Sequence, residues 1–345
     1  MEKLKVASFF CGCGGMDLGL QGGFIYNHKR YAKLPFEITY SCDNDPYCTQ
    51  IYNSNFQCKC EVKDVRELNI KSLPAFNMLI GGFPCQSFSI SAQNPPRLGY
   101  KDVRGMLFFE MVKALRERHP RFFIAENVKG LLSANQHKAF PMILKEFEDS
   151  GYYVKYKLFN ASDYGVPQKR ERIIMIGFHD YNDFMSFEFP EPLKEKVPLS
   201  VAIDASADND EKWIFSQKAV DGMLRVRAKM NKGRAQNRNE PCNTISSHLA
   251  KVSLNSTDPV LMVGEKYRRF TPREAARIQS FPDSFDISSV SECRQYRAIG
   301  NAVPPVLMWN IANCLSRIMK NNDSEQKSTI QNTLIYEPGK IAQRA

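Results

Sequence analysis

The sequence predicts an α/β protein with a Rossmann-like, mostly parallel sheet and a smaller, irregular second domain. Up to about residue 180, short apolar runs alternate with segments of helical periodicity, as in parallel strands joined by crossover helices. After Phe178 this alternation breaks, and residues 181–212 are rich in Pro, Asp and Glu. With 345 residues, the chain is long enough for both parts.

The expected elements follow from the spacing of apolar side chains. Five apolar runs predict strands at residues 5–10, 38–42, 76–80, 122–125 and 173–178. Helical spacing predicts helices near residues 16–20 and over residues 106–118 and 137–149. Regular structure is expected again at Thr271, which can cap a helix that has Pro272 in its first position and Glu274 closing a capping box. A last helix is predicted from the Pro304-Pro305 pair to about Met319.

Most of the excess positive charge lies in one segment. The formal net charge is +10, and from Lys212 to Arg273 thirteen Lys or Arg residues stand against four Asp or Glu, a local balance of +9. A basic surface of this kind attracts polyanions such as nucleic acids. A merely solvated face is the alternative interpretation, but confinement of the charge to one segment favours a binding surface.

The cysteines indicate reduced thiols. There are ten, and the short apolar run of residues 1–10 does not resemble a secretory signal, so we expect a cytoplasmic protein. No stretch approaches the ~20 apolar residues of a membrane span. The pairs Cys11/Cys13 and Cys58/Cys60 are spaced more tightly than usual zinc ligands, so no metal is expected.

A glycine-rich turn follows the first predicted strand and carries a nucleotide-binding signal. In the run Phe10-Cys11-Gly12-Cys13-Gly14-Gly15, glycines allow a tight turn and a close approach of the backbone to a ligand. Asp43 ends the next strand, where a carboxylate can hold ribose hydroxyls. The glycine spacing differs from that of NAD-binding turns, yet for this motif alone a nicotinamide enzyme or a simple packing turn stays possible.

A cysteine follows the third predicted strand. Cys85 stands after Gly81-Gly82-Phe83-Pro84, at the carboxyl end of a strand, which is where open parallel sheets bind ligands. A lone cysteine is usually a small buried apolar residue, and we keep that interpretation for the other nine. Cys85 lies in a polar turn instead, so we consider it a candidate nucleophile.

Two further strand ends carry charged side chains. Glu126-Asn127-Val128 ends the fourth strand, and Gln168-Lys169-Arg170-Glu171-Arg172 precedes the fifth. A protonated carboxyl group can bond a ring nitrogen. Two arginines two positions apart point the same way on an extended segment and could hold a carbonyl oxygen, a phosphate or the nearby acid. Taken alone, Glu126 is a solvated acid about as often as a catalytic one.

In this order, the motifs resemble those of the DNA cytosine-5 methyltransferase family, from Val6 to about Met319. The sequence looks most similar to short bacterial restriction–modification enzymes. The match comprises residues 10–15, 81–91, 104–105, 107–108, 126–128, 168–172, 269–280 and 300–304.

The resemblance implies the fold of class I S-adenosylmethionine-dependent methyltransferases. It implies a catalytic and cofactor-binding domain at residues 1–180 and an irregular DNA target-recognition domain at 181–270. A return segment at 271–320 would complete the catalytic domain, and 321–345 would be a flexible tail.

The resemblance also implies a reaction: transfer of a methyl group from S-adenosylmethionine to carbon 5 of a flipped-out cytosine in a short duplex sequence. Cys85 would attack carbon 6, and protonated Glu126 would bond ring nitrogen 3. Arg172 would hold the cytosine carbonyl oxygen, and Arg170 would help orient the nucleophile and the acid.

For the cofactor, the resemblance implies that Phe10, Gly12, Gly14 and Gly15 line the methionine side. Asp43 would bind the ribose and Asp64 the adenine amine. The remaining contacts expected are Asn44, Val65, Pro84, Leu107, Asn301 and Val303. The chain departs from the family pattern at Cys11 and Cys13, at Asn44, where an apolar or aromatic residue often covers the adenine, and before Asp64, which lacks the usual glycine.

For DNA, the resemblance implies that residues 86–104 close over the duplex with Ser89 and Ser91 facing it. Arg234, Arg238 and Thr244 are the expected contacts within the basic segment. The expected partner is double-stranded DNA, bound by a monomer, with a restriction endonuclease encoded separately.

Three other functions share part of this sequence pattern. A transfer-RNA cytosine-5 methyltransferase would share the chemistry, but the long basic segment discourages it. A non-catalytic DNA-binding regulator should have lost Cys85, Glu126 or the glycine turn, and a nicotinamide oxidoreductase would have no use for Cys85, Glu126 and Arg172 together.

Overall fold

A computed structural model describes residues 3–84, 107–227, 234–250 and 258–334. Its strands, in chain order, are β1 (Leu4–Phe9), β2 (Phe24–Tyr26), β3 (Lys29–Tyr31), β4 (Phe36–Asp43), β5 (Glu61–Val62), β6 (Met78–Gly81), β7 (Phe122–Val128), β8 (Tyr153–Asn160), β9 (Gln168–Lys169), β10 (Glu171–Phe178), β11 (Cys242–Asn243), β12 (Leu261–Val263) and β13 (Lys266–Arg268). Its helices are α1 (Gly15–Gln21), α2 (Pro46–Asn55), α3 (Phe108–Arg118), α4 (Ala139–Glu148), α5 (Tyr181–Ser186), α6 (Gln217–Arg227), α7 (Pro272–Ile278), α8 (Glu292–Asn301) and α9 (Pro305–Leu334).

Within the described residues, seven strands form one sheet in the order β5-β4-β1-β6-β7-β10-β8. The first five of these are parallel, whereas β10 runs antiparallel to both β7 and β8. The chain builds outwards from β1 to β4 and β5, then returns to the other side of β1 with β6. Ligands of open sheets bind at the carboxyl ends of strands beside such a reversal. The predicted mostly parallel sheet is confirmed.

Alternate side chains of each strand cover the two faces of the sheet. Val6 and Ile80 face the side on which α1 and α9 pack, and Ala7 and Leu79 face the side covered by α3 and α4. Because β1, β6 and β7 are buried on both faces, their sequences are nearly continuous apolar runs. The last helix, α9, packs beside α1 and shares its apolar core with β1.

The predicted elements are present, but several boundaries differ and some elements were missed. The five predicted strands are β1, β4, β6, β7 and β10, and α7 begins with the predicted capping box of Thr271 and Glu274. β8 was missed because its exposed edge mixes lysines with apolar residues. The end of α9 was predicted wrongly. The helix continues to Leu334, into the part expected to be a flexible tail, because residues 320–334 contain no Gly or Pro to end it. No described helix combines the length and hydropathy needed to cross a membrane.

The segment between α5 and α7 is built from 3₁₀ turns, short strands and α6. Its apolar side chains, among them Leu199 and Trp213, pack in one cluster with Cys13 and Tyr52 of the glycine turn and α2. This segment is therefore joined to the sheet domain by a shared core that also contains α7 and α8.

Part of the positive charge of this segment is used inside the protein. The guanidinium of Arg268 is 0% exposed and donates to Asp208 at 2.8 Å and to both carboxylate oxygens of Glu274 at 2.7 and 2.8 Å. Arg238 also donates to Asp208, at 3.0 Å. The interpretation of the whole segment as a binding surface is thus too broad, since Arg268 links three parts of the fold.

Replacing Arg268 by leucine should lower the free energy of unfolding by about 3–5 kcal/mol, because the change leaves Asp208 and Glu274 without their buried partner. The exposed neighbour Lys266 provides a matched control, and its replacement by alanine should change the free energy by less than about 0.5 kcal/mol. Urea denaturation measures both. Equal effects of the two substitutions would contradict this account of Arg268.

Candidate active site

A cavity of about 480 Å³ opens at the carboxyl ends of β1, β4, β6 and β7. It brings together residues from six of the motifs found in the sequence. Of the residues singled out there, its lining contains Phe10, Gly12, Gly15, Asp43, Asn44, Pro84, Glu126, Arg170, Arg172, Asn301 and Val303. A second cavity of about 660 Å³ lies beside α1 and the β2–β3 hairpin. It is larger, but its lining holds none of these residues.

Asp43 holds the glycine turn in place. Its carboxylate accepts the backbone N–H of Gly12 and that of Asp45, each at 2.8 Å. Burial raises the pKa of Asp43, and these backbone donors oppose the rise. Gly14 has φ = 90° and no room for a side chain, because Phe56 and Tyr52 pack against its α-carbon. The turn is therefore a rigid rim for the cavity.

Four residues expected to contact the cofactor are not among the described lining residues. Gly14 faces Phe56, and Val65 and Leu107 pack in or against the core beneath α3. Asp64 caps a 3₁₀ turn and accepts the guanidinium Nε of Arg66 at 2.9 Å, which lowers the pKa of Asp64. Its carboxylate is engaged by a neighbour two residues away.

Glu126 and Arg172 form a buried ion pair at the far side of the cavity. They stand on the antiparallel strands β7 and β10, and Arg172 Nε lies 2.9 Å from Glu126 Oε1. Burial raises the pKa of Glu126, although the charges of Arg172 and Arg170 oppose the rise. Burial therefore favours the protonated form of this carboxyl group, which can donate a hydrogen bond to a ring nitrogen.

The peptide that leads to Cys85 is fixed against this pair. The side-chain amide of Asn127 donates to the carbonyl oxygen of Phe83 at 3.0 Å, and Pro84 lines the cavity. A side-chain carbon on Gly82 would lie 3.0 Å from Glu126 Oε2, so glycine leaves room for the carboxyl group. Cys85, Ser89 and Ser91 lie outside the described residues.

Arg170 contacts backbone in a way that the sequence did not suggest. Its buried guanidinium donates to the carbonyl oxygens of Ile245 at 3.1 Å, Gly300 at 2.8 Å and Ala302 at 3.1 Å. These contacts join the chain between β9 and β10 to two distant segments, of which residues 300–302 line the cavity. The contacts described for Arg170 thus hold this part of the fold together, and the role in orienting the nucleophile and the acid that the resemblance implies stays a prediction.

Two glutamines extend this junction, and neither has a role that the sequence pattern predicts. Gln168 donates to the side chain of Gln279 and accepts the backbone N–H of Ile245 at 3.0 Å. Gln279, at the end of α7, donates to the carbonyl oxygens of Ile299 at 3.0 Å and Ala302 at 2.6 Å. Only the position of Gln279 within the motif of residues 269–280 could have singled it out.

The three described candidates for DNA contact are already engaged by the protein. Arg234 donates to the carbonyl oxygen of Asp258 at 3.1 Å, and Arg238 pairs with Asp208. The exposed Thr244 donates to the carbonyl oxygen of Lys169 at 2.6 Å, beside the short β9–β11 pair. Because Asn243 pairs with Lys169 in these strands, Thr244 lies next to the segment that carries Arg170 and Arg172.

The cysteines of the glycine turn are buried. Cys11 Sγ lies 3.2 Å from Cys60 Sγ, and burial raises the pKa of Cys13 to about 12. Thiols in such surroundings stay protonated and react slowly. Among the residues that the structure describes, no group of three His, Cys, Asp or Glu side chains is placed to hold a metal ion.

Comparison with known proteins agrees with this geometry. Residues 4–317 match the family model of C-5 cytosine-specific DNA methylases. The chain is 32% identical to the type II methyltransferase M.FnuDI of Fusobacterium nucleatum, over 96% of this chain and 99% of that protein. It is 34% identical to M.DsaV of Dactylococcopsis salina, over 90% of this chain and 86% of that protein.

Solved structures share the fold. The Entamoeba histolytica methyltransferase EhMeth superposes with a TM-score of 0.71 at 18% identity, covering 91% of this chain and 98% of that one. The Dnmt2 methyltransferase of S. pombe gives 0.70 at 18% identity, covering 92% and 99%. The fold is that of Rossmann-like methyltransferases, and the match over residues 4–317 shows that this chain belongs to the C-5 cytosine-specific DNA methylase family.

Proposed function

We propose that this enzyme methylates carbon 5 of a flipped-out cytosine within a short duplex DNA sequence, with Cys85 as the nucleophile. The observation that carries the proposal is the buried Glu126–Arg172 pair, which lies beside the peptide that ends at Pro84. The raised pKa of Glu126 favours a protonated carboxyl group, which is a hydrogen-bond donor, and the guanidinium of Arg172 is a second donor 2.9 Å away. Ring nitrogen 3 and the carbonyl oxygen of cytosine are two neighbouring acceptors that such a pair of donors can bind.

The cavity fits S-adenosylmethionine. Its volume of about 480 Å³ is within the range of small-molecule sites, roughly 300–1,000 Å³. Phe10, Gly12 and Gly15 would line the methionine side, Asp43 would accept the ribose hydroxyls, and Asn301 and Val303 would close the opposite wall. When bound, the cofactor supplies an electrophilic methyl group. The described lining assigns no contact to Asp64, so the adenine amine would need another partner.

The protein's own groups account for the remaining steps. The Cys85 thiolate adds to carbon 6, and Glu126 donates its proton towards ring nitrogen 3, so that negative charge develops at carbon 5. Arg172 holds the carbonyl oxygen. After carbon 5 has accepted the methyl group, a base from the solvent takes the carbon 5 proton, the bond between carbon 6 and Cys85 breaks with its electron pair on sulfur, and the thiolate is returned; Glu126 takes back the proton from ring nitrogen 3. Because a paired base hides carbon 6, the cytosine must leave the helix first.

The basic segment supports duplex DNA as substrate. We propose residues 181–270 as the target-recognition part, 1–180 with 271–320 as the catalytic part, and Thr244 as a residue at their junction. Arg234 and Arg238 would have to leave their protein partners to reach DNA. Since the relatives named above are type II methyltransferases, we further propose a role in restriction–modification, by a monomer acting beside a separate endonuclease.

Transfer of tritiated methyl groups from S-adenosylmethionine to mixed-sequence duplex DNA should label 5-methylcytosine, and Cys85→Ser should abolish the label because serine is a far poorer nucleophile. Transfer RNA serves as the parallel substrate. Label in transfer RNA alone would overturn the proposed substrate. Label in neither, with DNA still bound, would favour a non-catalytic regulator.

Replacing Gly82 by alanine should lower kcat for methyl transfer at least tenfold, because the new methyl group presses on the Glu126 carboxyl group. Gly130→Ala is the matched control, since its added carbon would make only an ordinary contact, 3.8 Å from Val128. Steady-state kinetics and thermal unfolding of both variants check this. If the two variants have the same kcat, the contact with Gly82 does not position Glu126.

A further inference from the structure

A second carboxylate is buried next to the glycine turn, and the proposed reaction does not use it. Asp17 lies in the first turn of α1, is 0% exposed and lines the cavity. It accepts hydrogen bonds from the hydroxyl of Ser8 on β1 and that of Tyr52 on α2, each at 3.0 Å. Asp17 therefore connects three elements directly beneath the rim of the cavity.

No described Lys or Arg neutralises Asp17. The groups that face it are the hydroxyls of Ser8 and Tyr52 and the thiols of Cys11, Cys13 and Cys58, which come from β1, α2, the glycine turn and the segment before β5. All of these are uncharged at neutral pH. Burial raises the pKa of Asp17 to about 6, against the lowering effect of its two hydroxyl donors. The carboxylate is thus ionised at pH 7.5, and no cation from the part of the chain that the structure describes lies beside it.

The other charged groups of the cavity are already engaged. Glu126 pairs with Arg172, Arg297 lies 3.7 Å from Asp45, and Arg170 donates to backbone carbonyls. A buried anion without a neighbouring cation destabilises a fold. An asparagine could keep two hydrogen bonds without that cost, because its amide oxygen would accept from one of the two hydroxyls and its amide N–H would donate to the other. A purely structural role therefore does not explain why this residue is charged. Attraction of a cationic ligand into the cavity does explain it.

We infer that Asp17 is the buried anion by which the cavity distinguishes the methyl donor from the product. This inference rests on the proposed function. The donor carries a sulfonium; when the methyl group leaves, the bonding electron pair stays on sulfur, and S-adenosylhomocysteine has one positive charge fewer. In a cavity of low dielectric constant, Asp17 attracts the charged donor and loses this attraction once transfer is complete. Binding of donor and release of product are both favoured.

The test is the affinity of wild type and Asp17→Asn for the two ligands, measured by isothermal titration calorimetry at pH 7.5. The substitution should raise the dissociation constant of S-adenosylmethionine about tenfold and change that of S-adenosylhomocysteine less than about twofold. Equal weakening of both ligands would show a structural role and overturn the inference, as would no change in either. Failure of the wild type to bind either ligand would instead overturn the proposed cofactor.

Ser8→Ala is the matched control, because it removes one hydrogen bond to Asp17 but keeps the carboxyl group; it is titrated at about pH 8.5, since loss of the Ser8 donor raises the pKa of Asp17. It should preserve the preference for the donor. The wild type alone gives an independent readout: the ratio of the two affinities should rise between pH 5 and 7.5, as Asp17 ionises around its pKa of about 6. Asp43 is a second carboxyl group in the same cavity, with a raised pKa, and could also change this ratio with pH. The contribution of Asp17 is the difference between the rise measured in the wild type and the rise measured in Asp17→Asn. A ratio with the same pH dependence in both proteins would contradict the inference.

Discussion

Three stretches of chain, far apart in sequence, meet at the buried guanidinium of Arg170. A charge in that position needs acceptors, and the carbonyl oxygens of Ile245, Gly300 and Ala302 supply them. Because all three acceptors are backbone carbonyl oxygens, these hydrogen bonds hold the backbone of the three residues in position and do not depend on which side chains those residues carry. Gly300 has no side chain, which lets the backbone of residues 246–247 pack directly on it. Residues 300–302, which line the cavity, and the segment around residue 245 behind them are therefore held together by the same guanidinium.

The chemistry of the site follows from a competition between burial and charge. Burial alone would neutralise both Glu126 and Arg172, raising the pKa of the acid and lowering that of the base. Their pairing at 2.9 Å opposes both shifts, and for Glu126 burial has the larger effect. The raised pKa favours the protonated form of the Glu126 carboxyl group, while the neighbouring cation fixes its orientation. The antiparallel pairing of β10 with β7 makes this possible, since it brings the arginine of one strand end against the acid of the other.

The sequence predicts those features that depend on local pattern. Apolar runs located the strands, and polar residues at strand ends located Asp43, Glu126 and Arg172 in one cavity, because the carboxyl ends of parallel strands share an edge of the sheet. What could not be predicted depends on contacts between distant residues. The sequence gives no sign that Arg268 is buried with Asp208 and Glu274, or that Arg170 bonds backbone carbonyls. Asp17 was missed for the same reason: on α1 it appears as an ordinary acid in a first helical turn, and only the packing of α2 and β1 shows that it is buried. That none of the described Lys and Arg side chains lies beside Asp17 is equally a property of the fold.

The central claim is that Cys85 forms the covalent bond to cytosine, and trapping that bond tests it most directly. In duplex DNA containing 5-fluorocytosine, the fluorine cannot leave as the carbon 5 proton does, so the adduct formed after methyl transfer should persist. Intact-mass measurement should then show one DNA strand bound per enzyme, and peptide mapping should place the bond at Cys85. The account predicts this adduct only in the presence of S-adenosylmethionine. An adduct at another residue, or methylation of ordinary cytosine without any trapped complex, would contradict it.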